Sequence, residues 1–155
     1  MTQLSLHQIP HTHIAIMRRS WGLTQKLLSG EKTIESRWYM NRYIPWNRIS
    51  PNDIIYFKDS GQPITLKAQV KKVLQFADLT PQKVRHILSK YAKADGLGTQ
   101  PTKWQPYLKR FRNKKYCLLI FLKNVKQITP FLINKTGFGA MASWLIVADI
   151  NLIKK

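Results

Sequence analysis

The chain has 155 residues, 44% of them hydrophobic and 11% aromatic, which supports one domain with a buried core and excludes wholesale disorder. Lys and Arg number 26 against 7 Asp and Glu, a formal charge of +19. An excess of that size points to a polyanionic partner, nucleic acid first, and says nothing about fold.

In chain order, HIAIMRR (13–19) reads as a first strand. Ser20 is placed to cap a short helix through Leu28, and Gly30 to end it. KTIESRWY (32–39) alternates as a strand, and a loop broken by Pro45 and Pro51 follows. DIIYFKDSG (53–61) is a strand running into a turn. In ITLKAQV (64–70) Ile64, Leu66, Ala68 and Val70 recur at every second position, a half-buried strand with Lys67 and Lys71 on its wet face. Thr80 and Pro81 start a helix whose buried face is Val84, Ile87, Leu88 and Tyr91. After the loop 94–101, Trp104, Tyr107, Leu108 and Phe111 repeat that spacing, and Pro106 predicts a late start or a kink. A long strand (114–125), a turn-rich stretch and a last strand, WLIVADI, complete the chain.

Strands flank a two-helix insertion (80–113) without regular βαβ alternation. The expectation is an α+β fold, a small curved sheet or barrel with helices at its edge, in one domain spanning 1–155, with residues 1–12 flexible. No apolar run approaches the roughly 18 residues of a membrane span, and the N-terminus lacks the basic start and apolar block of a secretory signal. The single cysteine, Cys117, sits in the apolar run YCLLIFL and reads as a buried strand residue. A cytoplasmic monomer is expected.

Both glutamates of the chain lie in GEKTIESR (30–37), beside Lys32 and Arg37. If the strand begins at Lys32, Thr33, Glu35 and Arg37 share one face and Lys32, Ile34 and Ser36 the other. Glu35 and Arg37 are then a surface salt bridge, or a carboxylate that orients cationic donors around a ligand. The residues alone leave both open.

The run LLSGEKTIESR resembles the signature of the ASCH domain, the ASC-1 homology family of the PUA-like superfamily. Gly30, Lys32, Glu35 and Arg37 match its pattern of a helix-ending glycine, then x-Lys-x-x-Glu-x-Arg entering a strand. PWNRISPNDIIYFKDSG resembles the proline-and-aspartate turn that follows, with Asn52 in place of the usual glycine. The resemblance covers 13–76 well, the last strands loosely and the helical insertion not at all. It implies a PUA-like β-barrel and RNA binding. Some members are N4-acetylcytidine amidohydrolases that use a Lys, a Thr and a Glu, and some are reported as ribonucleases. Lys32 falls on that catalytic Lys and Glu35 on the Thr, while residues 77–113 contain no Glu, so the triad is not preserved.

Other chemistry is sparse. His7, His11 and His13 form a run with no acidic or cysteine partner nearby, so no metal or cofactor is expected. Trp21, at a strand-to-helix junction, and Phe138, in a glycine-flanked turn, are candidates to stack on bases. Trp38 and Trp144 are assigned to the core or barrel rim. Lys58 and Ser60, in FKDSG, are candidates for a phosphate-binding lysine and a hydrogen-bonding serine, or form an ordinary turn. The expected function is RNA or single-stranded nucleic-acid binding, RNA before DNA. A cleft around Lys32, Glu35 and Arg37 would be flanked by Lys58, Ser60, Trp21 and Phe138. The alternative is a hydrolase of RNA or of a modified nucleoside, with Lys32 catalytic.

Overall fold

The computed structural model describes residues 11–155. His7 and nearly all of the segment expected to be flexible lie outside the described residues. Six strands form one mixed sheet: β1 (Thr12–Met17), β2 (Ile34–Tyr39), β3 (Ile54–Asp59), β4 (Ile64–Phe76), β5 (Tyr116–Phe131) and β6 (Trp144–Val147). Helix α1 (Leu23–Ser29) joins β1 to β2, and α2 (Pro81–Tyr91) and α3 (Pro101–Phe111) lie between β4 and β5. The order across the sheet is β2-β5-β4-β3-β1-β6, with β1 and β3 parallel and the other pairs antiparallel.

The sheet curls as a half-barrel. Its inner face buries Ala15, Met17, Phe57, Leu66, Val70, Leu118, Ile120 and Trp144, with Leu23 and Leu27 of α1 as a plug. Strand alternation sends the intervening residues outward. On one outer side Ile34, Cys117 and Leu119 pack against Val84, Ile87, Leu88 and Trp104 of α2 and α3. On the other, Ile14, Tyr56, Ile64 and Leu145 meet Ile133 and Ile153.

Strands β2 and β6 are the two sheet edges, yet they approach each other across the curl. Arg37 of β2 donates to the carbonyl of Ser143, just ahead of β6, at 3.3 Å, and to that of Ile16 at 3.4 Å. Its guanidinium lies 5.1 Å from the Trp144 ring centre. A side chain therefore bridges the seam that backbone pairing leaves open.

Several local expectations hold. Gly30 ends α1 with φ 83, and Asn52 takes φ 75 in its turn. Thr80 caps α2 by accepting from the Lys83 N–H. Three others are corrected. Ser20 does not cap α1: it lies in a 3-10 turn (Arg19–Trp21), and left-handed Gly22 occupies the cap without a side-chain bond. Helix α3 starts at Pro101 and runs unbroken through exposed Pro106. The missing N–H is tolerated because buried Trp104 and half-buried Tyr107, Leu108 and Phe111 anchor the turns on either side. Strand β2 begins at Ile34, two residues later than expected, because the Thr33 and Ile34 N–H groups both donate to the carbonyl of Ala94. Lys32 thus belongs to the preceding turn, which removes it from the strand's alternation.

Candidate functional site

A cleft of about 320 Å³ opens at the barrel seam. It is assembled from five stretches: the end of β1 with Arg18 and Trp21, the turn and strand 32–39, the loop at Asp95 and Leu97, the end of α3 with Lys114, and Ser143. Its cations are Arg18, Lys32, Arg37, Arg110 and Lys114; its acids are Glu35 and Asp95. Two of the seven acidic residues in a +19 chain thus converge on one cleft.

Lys32 is 1% exposed, and Asp95 and Glu35 are 4% and 3% exposed. A buried ammonium needs compensation, and Asp95 supplies it twice. Lys32 Nζ donates to Asp95 Oδ1 at 2.6 Å and to the Asp95 carbonyl at 3.0 Å. Ser36 Oγ donates to Asp95 Oδ2 and accepts from Trp38 Nε1. The loop that carries Asp95 is tied to the motif by the two bonds to Ala94, and Lys26 Nζ donates to the Gly96 carbonyl at 2.7 Å. Gly96 has φ 78, and a Cβ there would sit 3.0 Å from Lys32 Cβ, so only glycine lets the loop lie this close. Burial raises the Asp95 carboxyl above the ordinary range; Lys32 opposes this and Glu35 adds to it.

Glu35 is less well satisfied. Lys32 Nζ stands 3.8 Å from its Oε1 and Arg37 Nη2 3.9 Å from its Oε2, both beyond hydrogen-bonding reach. Among the described residues, Oε2 has no hydrogen-bond partner. Arg37 instead directs its donors at the seam carbonyls and at Met17 Sδ.

Aromatic rings line the walls. Trp38 stacks on Phe111, with ring centres 5.0 Å apart and planes 6° from parallel. Trp21 meets Tyr107 edge-on, and the guanidinium carbons of Arg18 and Arg110 lie 4.7 Å and 5.0 Å from its ring centre. The helical insertion therefore builds a wall of the cleft through Tyr107, Arg110 and Phe111.

Of the residues singled out in the sequence, Lys32, Glu35, Arg37 and Trp21 line this cleft, and Lys58, Ser60 and Phe138 do not. Lys58 leaves β3 beside Tyr56, on the outer face, because Phe57 takes the inner one. Phe138 lies in an exposed turn between Gly137 and Gly139. His11 is exposed just ahead of β1, whereas His13 is fully buried, joined to Asp53 at 2.8 Å and to Trp144 Nε1 at 3.0 Å. No group of three His, Cys, Asp or Glu suited to a metal occurs among the described residues. Sequence reasoning missed Asp95. One signal was available: it is the only acidic residue between Asp78 and Asp149.

No protein-family model matches the chain, and no curated protein matches it in sequence. Solved structures do. The ASCH domain of Zymomonas mobilis is 18% identical, with a TM-score of 0.62 over 88% of this chain and 87% of that one. A serine-to-alanine variant of the same bacterial protein gives 17% identity and a TM-score of 0.65 over 94% and 99%. At such identities the likeness is one of fold.

Proposed function

On the ASCH-domain, PUA-like α+β fold that this chain adopts, we propose that it binds nucleic acid, with one nucleotide of a single strand, RNA before DNA, seated in the seam cleft. The carrying observation is the convergence of Arg18, Arg110 and Lys114 with the rings of Trp21, Trp38 and Phe111 around a buried, charged floor. Cations at the mouth suit phosphate, and aromatic and guanidinium planes suit an unstacked base. A volume of about 320 Å³ lies at the small end of ligand sites, which favours one nucleotide over a longer segment. Titrating a fluorescent single-stranded RNA into the wild type and into Trp21→Ala/Arg110→Ala tests this. Binding that weakens at least about tenfold in the variant supports the cleft, given roughly 1–3 kcal/mol per stacked base. Unchanged binding refutes it.

A second reading, hydrolysis in the same cleft, is favoured by Asp95. A lysine acts as base or nucleophile only when neutral. Lys32 and Asp95, hydrogen-bonded at 2.6 Å, set a proton donor and a proton acceptor side by side in the cleft. This acid is the partner that the absence of Glu from residues 77–113 left missing. Incubation with N4-acetylcytidine, and separately with RNA, distinguishes the readings: product that disappears in a folded Lys32→Ala variant establishes catalysis.

A further inference from the structure

Resting on the nucleotide-binding reading of the seam cleft, we infer that the floor formed by Lys32 and Glu35 selects guanine. Lys32 has three N–H donors, of which two go to Asp95. Among the described residues the third has no hydrogen-bonded partner, and the nearest acceptor towards the cleft is Glu35 Oε1 at 3.8 Å. That gap is too long for a bond. Beside it stands a carboxylate that is almost wholly buried, with Oε2 unpartnered. A charged acceptor without a donor is costly in a dry site, so a ligand donor is strongly favoured there. Among the described residues no hydrogen bond fixes the carboxyl plane, and its terminal torsion is soft, so both oxygens can turn to a ligand.

The floor therefore presents one donor followed by two acceptors. Its complement is an acceptor followed by two adjacent donors. Guanine carries that order on one edge: O6, N1–H and N2–H. Lys32 donates to O6, while N1–H and N2–H donate to the two oxygens of Glu35. The other bases each set an acceptor against the carboxylate. Adenine offers N1 beside its amine, cytosine N3 beside its amine, and uracil two carbonyls flanking N3–H. An ionised carboxylate is repelled by each of these. Asp95 holds the Lys32 ammonium in place, so the donor side of the pattern is preorganised.

The test is equilibrium binding of GMP, IMP, AMP, CMP and UMP at one low ionic strength. GMP should bind at least about tenfold more tightly than AMP, CMP or UMP, the discrimination of one good bidentate pair. IMP, which keeps O6 and N1–H but lacks the N2 amine, should fall between. In Glu35→Gln the GMP preference should shrink to within about threefold, because GMP loses its charged acceptor and AMP no longer faces a repelling one. GMP bound no more tightly than AMP or UMP overturns the inference and leaves the cleft reading standing. Failure of all five to bind overturns the cleft reading and the inference together. The GMP-to-IMP ratio on the wild type decides the matter even if Glu35→Gln does not fold, and equal affinities count against it.

Discussion

At the scale of the residue, the cleft depends on a carboxylate that is unfavourable by itself. Asp95 is buried, and burial resists its charge; it is kept because Lys32 beside it has no other acid within bonding reach. Breaking a buried pair by removing one partner is far worse than removing both. Asp95→Ala should therefore destabilise by about 3 kcal/mol, and Asp95→Ala/Lys32→Met by clearly less than the sum of the two single changes, as read from urea denaturation. Asp53 provides the opposite electrostatic case. Burial pushes its carboxyl up, but bonds from His13 and from the His11 and Ser50 N–H groups outweigh it and leave it below the ordinary value. A lowered folded value means that the contribution is complete above the unfolded value, near 4, and fades as pH falls through the folded one. Asp53→Asn should thus lower the midpoint of unfolding at pH 7 and flatten the loss of stability as pH falls below about 4.

At the scale of the element, α3 shows how packing overrides a local signal. Pro106 deletes one helical bond from a helix whose buried Trp104 and half-buried Phe111 keep it in place. Since Pro106 is exposed, Pro106→Ala restores the bond without touching the core. It should raise stability by about 1 kcal/mol, seen as a higher melting temperature; a lower one would mean that proline's restriction of the unfolded chain is the larger effect. The same contrast explains what the sequence made legible. Periodicity disclosed the buried faces of α2, α3 and β4, because each repeats a spacing within a few residues. It misplaced the start of β2, since that boundary is set by Ala94, some sixty positions downstream. Lys32 was consequently placed in the strand and not in the turn before it, and Asp95 was passed over as loop. The seam contacts of Arg37, to Ile16 and Ser143, were equally invisible from local pattern.

For the whole molecule, charge sets the range of conditions in which binding can be seen. Among the described residues no helix is long and apolar enough to cross a membrane. If the excess lysines and arginines follow a nucleic-acid backbone, each contact releases counterions. For about six phosphates the logarithm of the affinity for single-stranded RNA should fall against the logarithm of salt with a slope of about −4. Affinity insensitive to salt between 50 and 300 mM (roughly a thousandfold loss is expected there) would remove the polyanion argument.

The seam has a dynamic counterpart. Strand β6 is held through β1 on one side, and across the curl Arg37 of β2 donates to the Ser143 carbonyl just ahead of it. A ligand seated on the floor of the cleft as proposed would engage β2 and the Asp95 loop, and the Arg37 bonds to Ser143 and Ile16 tie β2 to the opposite edge. Opening of that end of the half-barrel and release of the ligand are thus linked equilibria. At a ligand concentration 100 times its dissociation constant, the linkage is worth about 2.7 kcal/mol. Amide exchange at Leu145 and Ile146, which do not line the cleft, should then slow by up to about a hundredfold.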